Sequence, residues 1–236
     1  MQIPFVCDRC LTEGGRGVVY AIAEINEDGL FEAQCEHGHA VRAVSERPNH
    51  EWLISAGAYA IGDGYYREAV LDFAAALESA FGFYVEASLF QAKLEMEPIR
   101  ELLRQNRQDQ RRAGMVSLCY LRDTGRQFPY LHRKWVEFRN DTVHNGQWPI
   151  RAKAIEYAAH VCEAVLGLYE VLGPALEAVQ NYRLGELVHK AGYKTMLDSS
   201  LTFLSCFERV RAIDQALQEF RKYGPHRTLT GPRLVK

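Results

Sequence analysis

Residues 138–146 read FRNDTVHNG. Arg139 and His144 are residue types that together can break a phosphodiester bond. Cutting RNA requires the 2'-oxygen to lose a proton, the phosphorus to carry extra negative charge, and the 5'-oxygen to leave. Histidine titrates near neutrality and can donate or accept that proton. Arginine stays charged and offers a planar fork to phosphate oxygens. Charge stabilisation of this kind can supply the larger share of catalysis. Asn140 could orient the phosphate or the histidine. This chemistry requires no metal.

The spacing sets a condition. On a straight helix five residues advance about 500°, which leaves Arg139 and His144 roughly 140° apart. Either the helix ends or distorts before His144, or two chains share the site. Gly146 and Pro149 place the helix end just past the histidine. A two-fold axis beside the segment would bring two arginines and two histidines into one cleft. The plainer alternative is that Arg139 pairs with Glu137 or another carboxylate and that His144 caps the helix.

A second cluster lies near the start of the chain. Cys7 and Cys10 form a C-x2-C pair, and CEHGH supplies Cys35, His37 and His39. Between them VVYAIAEI (18–25) and LFEAQC (30–35) read as β-strands across the turn NEDG (26–29), and AVRAVS (40–45) as a third. A module of 47 residues is too short to hold itself together by an apolar core alone. Tetrahedral zinc takes four thiolate or imidazole ligands, and two close pairs on a hairpin can provide them. The expected set is Cys7, Cys10, Cys35 and His39, with His37 as the alternative fourth ligand. Four protein ligands close the site, so the zinc is structural and part of the folding energy. The pattern resembles a zinc ribbon.

From about residue 50 the apolar period changes from two to about 3.6. Helices are expected over roughly 51–62, 65–95, 98–108, 110–122, 131–144, 150–172, 175–190 and 199–222, with no strand in this part. In the second of these, Val70, Phe73, Leu77, Ala80, Phe81 and Tyr84 recur at threes and fours. Pro98 reads as a helix start. Such helices with short connections pack as a bundle. Residues 224–236, with His226, Arg227, Arg233 and Lys236 and no acid, read as a flexible basic tail.

The chain is 47% hydrophobic, enough for a substantial core, and its net charge of −2 argues neither for nor against nucleic acid. Any basic surface must therefore be local. Between residues 99 and 134 there are nine Arg or Lys and three Asp or Glu. Arg100, Arg104, Arg107 and Arg111 step by four, three and four, so one helix face could hold a phosphate backbone. The alternative is a solvated face paired with Glu101 and Asp109. No run of 18 apolar residues suggests a membrane span, and MQIPFVCDRC does not read as a signal peptide. Cys119, Cys162 and Cys206 lie in apolar helical patterns, as small buried hydrophobes do. A reducing cytoplasm fits this cysteine usage. His132, His160 and His189 are expected to be structural or surface residues.

The sequence resembles the HEPN superfamily, the higher eukaryotes and prokaryotes nucleotide-binding domain. Its signature is Arg, four to six residues, then His, with a polar residue directly after the Arg. Here these are Arg139, Asn140 and His144. YREAVLDFAAALESAF looks like the family's first long helix, with Glu78 where many members carry an acidic or polar residue facing the site. RAKAIEYAAHVCEAVLGLYEVL looks like its last core helix. The resemblance covers about residues 51–172.

It implies a mainly α, HEPN-like helical bundle preceded by a small zinc-bound β-hairpin module. The expected organisation is a zinc-ribbon-like module (1–47), the HEPN-like core (51–172), a C-terminal helical extension (173–223) and the tail (224–236). The implied activity is that of a metal-independent endoribonuclease, acting as a homodimer with a shared cleft and leaving a 2',3'-cyclic phosphate. Arg139, His144, Asn140 and Glu78 would be its catalytic residues. Toxin–antitoxin and anti-phage systems are the implied settings, with an antitoxin or phage-derived protein as partner. Two other readings stay open: a non-catalytic dimeric adaptor that binds RNA or protein, and a DNA-binding regulator.

Overall fold

The protein is described from a computed structural model covering residues 2–13, 18–24, 29–45, 47–107, 109–190 and 201–203. The chain forms two compact units. One combines Met1–Arg47 with Glu177–Phe207, and the other contains Pro48–Leu176. Most of the segment expected as a C-terminal extension thus groups with the N-terminal module. The tail and Cys206 lie outside the described residues.

The N-terminal unit is built on β-strands. Strand β1 (Gln2–Val6) leads into a short helix α1 (Asp8–Glu13) and then β2 (Tyr20–Glu24). β1 and β2 pair antiparallel with Phe5 opposite Ala21. Strands β3 (Leu30–Gln34) and β4 (Ala40–Val44) form a second antiparallel pair with Glu32 opposite Arg42. An isolated bridge between Ala21 and Cys35 ties the two pairs together. The alternation of β2 is legible in its burial, with Ala21 and Ala23 inward and Tyr20 and Ile22 outward.

Three elements depart from the expected pattern. The first strand and α1 were not foreseen, because MQIPFVCDRC lacks a clear period. A further strand, β5 (Leu201–Phe203), runs parallel to β4 where a helix over 199–222 was expected. Leu201, Thr202 and Phe203 include β-branched and aromatic residues suited to a strand, and tertiary pairing with β4 overrides the helical period there. The remainder of that expected helix lies outside the described residues.

Helix α8 (Pro174–Lys190) lays Leu184, Leu187 and Val188 against Leu30 and Val44. Gly29 makes the approach possible. It sits at φ +70°, and a Cβ there would lie 2.7 Å from the Ser45 carbonyl and 3.3 Å from Leu187.

The helical unit comprises α2 (Asn49–Asp63), α3 (Tyr66–Gln91), α4 (Met96–Gln105), α5 (Asp109–Thr124), α6 (Arg133–His144) and α7 (Arg151–Leu172). The expected helices of this region are all present. α3 is the spine, packing against α2, α4, α5, α6 and α7. Val70, Phe73, Ala80 and Tyr84 are buried as the helical period requires, whereas Phe81 is only half-buried. α3 is long and apolar enough to cross a membrane, but more than half of its apolar window is buried against its neighbours. That is also how the core helix of a bundle behaves.

Polar contacts fix α5 on α3. Tyr84 Oη donates to Asp123 Oδ2 at 2.9 Å and Ser88 Oγ to the same oxygen at 2.5 Å. Arg122 Nη2 donates to the Ser88 carbonyl at 2.7 Å. Burial, then the bond to Asp123, pushes the Tyr84 phenol well above its usual range.

The contact of α2 with α3 depends on Gly57, where a Cβ would meet the fully buried Phe73 ring at 2.7 Å. Gly57→Ala is therefore expected to destabilise the protein by about 1–3 kcal/mol through overpacking. Gly114, inside α5, has nothing within 4 Å of its would-be Cβ. Gly114→Ala should stabilise by about 0.5–1 kcal/mol through helix propensity. Urea unfolding of the two variants beside the wild type checks both signs.

Candidate active site and metal centre

Residue types around the FRNDTVHNG segment fold it as a helix that stops abruptly. His132 precedes α6 and its ring Nδ1 accepts from the Lys134 amide at 3.2 Å, an N-cap role. At the other end Asn145 N and Gln147 N both donate to the Asp141 carbonyl at 3.1 Å. Gly146 takes φ +69° to close that turn. His144 is the last helical residue, so the helix neither ends nor distorts before it. Within one chain Arg139 and His144 therefore diverge by about 140° around α6.

Arg139 lies where α3, α6 and α7 meet. Its Nη2 forms an ion pair with Glu78 Oε1, and its Nη1 donates to Asn140 Oδ1 at 3.1 Å. The arginine side chain is 23% exposed and that of Glu78 34%, so the pair sits at the rim of the core, within reach of solvent. Buried Tyr157 adjoins them. Burial raises its phenol above the usual range, the Arg139 charge opposes this, and the Glu78 charge adds to it. The phenol therefore stays protonated beside the ion pair. Glu78, Arg139 and Asn140 thus come together as one group. His144 stands apart from them, exposed at the helix end.

The four arginines expected on one helix face are divided. Arg100 and Arg104 lie on α4, which ends at Gln105, Arg107 falls in the connection, and Arg111 begins a new helix. Arg104 is bound by Glu97 and Glu101 at 3.1 and 2.7 Å. Arg107 and Arg111 are exposed. A continuous basic face is therefore not carried by a single helix, because the helix breaks between Arg104 and Arg111.

The N-terminal unit gathers a second group. Cys7 follows β1, and its amide donates to the Val19 carbonyl at 2.8 Å. Cys10 stands on α1. Cys35 follows β3, where Gly38 at φ +79° turns the chain so that the Cys35 amide reaches the His39 carbonyl at 3.1 Å. One ligand atom from each of Cys7, Cys10, Cys35 and His39 lies within 4.8 Å of the others. Cys10 and Cys35 sulfurs are 3.7 Å apart, and His39 Nδ1 is 3.7 Å from Cys7 Sγ and 3.2 Å from Cys10 Sγ. Ordinary zinc bond lengths give a tetrahedron with S···S edges of about 3.8 Å and S···N edges of about 3.5 Å. The group fits that metal. His37 Nδ1 is 3.4 Å from Cys10 Sγ, close to the cluster but outside this four-residue set.

The thiols also ask for a cation. Burial, then the crowding of Cys7 and Cys35, pushes the Cys10 thiol up to about 12. At Cys35 burial acts the same way. The backbone amides of His39 and His37, helped by the neighbouring thiols, outweigh it and bring that thiol below its usual value. A divalent cation at this group would supply the positive charge that clustered thiolates need.

One buried polar chain escaped the sequence reading. Tyr169 Oη donates to Glu51 Oε1 at 2.7 Å and is bonded to His50 Nε2 at 2.6 Å, all three being buried. Because the phenol's hydrogen goes to Glu51, the histidine must be the donor to Tyr169. His50 falls in the junction RPNH, where nothing local signals burial. The expected structural histidines behave plainly: His132 caps α6, His160 pairs with Glu163 at 3.2 Å, and His189 is exposed. Cys119 and Cys162 are buried, and burial followed by the Glu163 charge pushes the Cys162 thiol up to about 12.

Comparisons with protein families, curated proteins and solved structures return no match for the chain.

Removal of metal should act on the N-terminal unit first. The protein is expected to contain one zinc per chain, and Cys35→Ser to lose it. Cobalt substitution should give the absorption of a three-thiolate, one-imidazole tetrahedral site. Chelation at neutral pH should melt the β-strand signal in circular dichroism at lower temperature than the helical signal.

Proposed function

We propose that this protein is a metal-independent endoribonuclease of the HEPN type. Its helical unit is then the HEPN-like bundle, and its N-terminal unit a structural zinc module of zinc-ribbon character. The observation that carries the reading is the half-buried group of Glu78, Arg139 and Asn140, with exposed His144 ending the same helix.

In this reading Glu78 and Asn140 orient the guanidinium, and a phosphate oxygen binds to the planar fork they present. His144 moves the proton, as base on the 2'-hydroxyl or as acid on the departing 5'-oxygen. The product is a 2',3'-cyclic phosphate. Arg100, Arg104, Arg107 and Arg111 would contact the RNA backbone. Zinc takes no part in the chemistry, since its four protein ligands leave no open position.

The angle between Arg139 and His144 supports a site shared by two protomers, each offering its arginine to the other's histidine. A homodimer with one two-fold cleft meets that condition. A cytoplasmic toxin–antitoxin or anti-phage role fits such an enzyme, with an antitoxin or phage-derived protein as the regulating partner. One observation favours the second reading, a non-catalytic RNA- or protein-binding adaptor: the Arg139–Glu78 ion pair already occupies part of the fork.

RNA cleavage in EDTA separates the two. Wild type should cut and leave cyclic phosphate ends, and Arg139→Ala or His144→Ala should lower the rate by at least about a hundredfold. An equal mixture of the two variants gives a further check. Heterodimers of a shared site keep one intact Arg–His pair, so about a quarter of wild-type activity should return. A site formed within one chain would regain nothing.

A further inference from the structure

The connection between α6 and α7 carries a feature that phosphate chemistry leaves unused. Trp148 is 78% exposed and Ile150 66%, while Pro149 between them is buried. This alternation marks an extended segment that turns Trp148 and Ile150 to one side. Ile150 has φ −82° and ψ 155°, in keeping with it. Proline fixes its own φ and confines the residue before it to extended backbone. The buried Pro149 thus holds the backbone at Trp148 with the side chain outward, so less backbone freedom is lost on binding. The turn that delivers the segment is pinned at the end of α6 by the bond from Gln147 N to the Asp141 carbonyl. Trp148 follows His144 by only four residues.

The sequence on either side carries more cations than acids. The first turn of α7 holds Arg151 and Lys153 and no acid. Lys134 Nζ and Lys153 Nζ lie 4.7 and 5.3 Å from the Trp135 ring centroid, which brings these two cations to the same part of the surface, with Glu156 between them. From residue 132 to 156 there are five Arg or Lys and three Asp or Glu, Glu156 being shared by Lys134 and Lys153. An exposed indole on a proline-restrained backbone, next to a helix start that carries Arg151 and Lys153, matches a flexible polyanion that carries flat apolar rings.

We infer that Trp148 is a stacking platform for one unpaired nucleobase of single-stranded RNA, placed beside the cut phosphate. The inference rests on the ribonuclease reading for its substrate and adds a preference for unpaired over duplex RNA. Duplex bases are already stacked and offer no free face.

The protein provides its own probe. Trp52 and Trp135 are 9% and 2% exposed, so acrylamide quenching of the native chain reports mainly on Trp148. The titrant is an eight-nucleotide 2'-O-methyl oligoadenylate, which cannot be cut by 2'-oxygen attack. Inorganic polyphosphate serves as the polyanion without bases. Oligoadenylate should quench Trp148 and shield it from acrylamide, and polyphosphate should not. Trp148→Ala should weaken oligoadenylate binding at least about fivefold, measured by anisotropy of a labelled oligomer. Trp148→Phe should recover most of that loss, and polyphosphate binding should be unchanged in both. Equal oligoadenylate binding by wild type and Trp148→Ala overturns the proposal. So does shielding of Trp148 that grows with protein concentration without RNA, which would assign the surface to a second copy of the chain. If His144→Ala leaves cleavage intact while these binding results hold, the ribonuclease mechanism fails and the stacking site stands.

Discussion

Burial of α3 is the constraint on which the helical unit depends. Its inner stripe, with Val70, Phe73 and Tyr84 fully buried, is the surface on which the surrounding helices pack. Once that stripe is inward, the helix period decides which residues fall at its margin. Glu78 is one of them, partly open to solvent and facing α6. Its carboxylate then selects the position of Arg139. The ion pair is consequently a product of packing, since α3 and α6 meet with opposite charges at a half-wet rim. A carboxylate at such a rim retains partial hydration, which moderates both the cost and the strength of the pair.

The two units use different sources of stability. The helical unit has apolar helices and cross-links such as Asp123 with Tyr84 and Ser88. The N-terminal unit has short strands, a few buried residues such as Phe5 and Phe31, and four converging metal donors. Small β modules rarely bury enough surface to offset chain entropy, which is why ligand convergence has structural weight there. Borrowing Leu184 and Val188 from α8 enlarges the same core.

Much of this was legible in the sequence, for identifiable reasons. Helices α2 to α8 announce themselves by apolar period, and α6 by Gly146 at its end. The four cysteine and histidine donors could be grouped because hairpin geometry brings sequence-distant ends together. Glu78 was locatable only through a resemblance, since no local pattern ties residue 78 to residue 139. Strand β5 was hidden because its partner β4 lies far away in sequence, and a three-residue strand has no period of its own. The His50–Tyr169–Glu51 chain was hidden likewise: each residue looks like an ordinary surface polar group until α2 and α7 pack. Arg100 to Arg111 show the converse error, where regular spacing ran across a helix break that tertiary structure imposes.

The pairing of Arg42 with Leu201 has a consequence for biosynthesis. Strand β4 leaves the ribosome early, and its parallel neighbour is among the later segments translated. The whole helical unit is made between them. Units generally fold as they emerge, but this first unit must wait for sequence that does not yet exist. During that interval the Val44 and Leu30 side chains lack the α8 residues that cover them. The Cys7, Cys10, Cys35 and His39 ligands are all translated before the delay begins. A metal captured by these four donors on the nascent chain would hold the early strands in register until α8 and β5 arrive, and its supply during translation would then bear on yield.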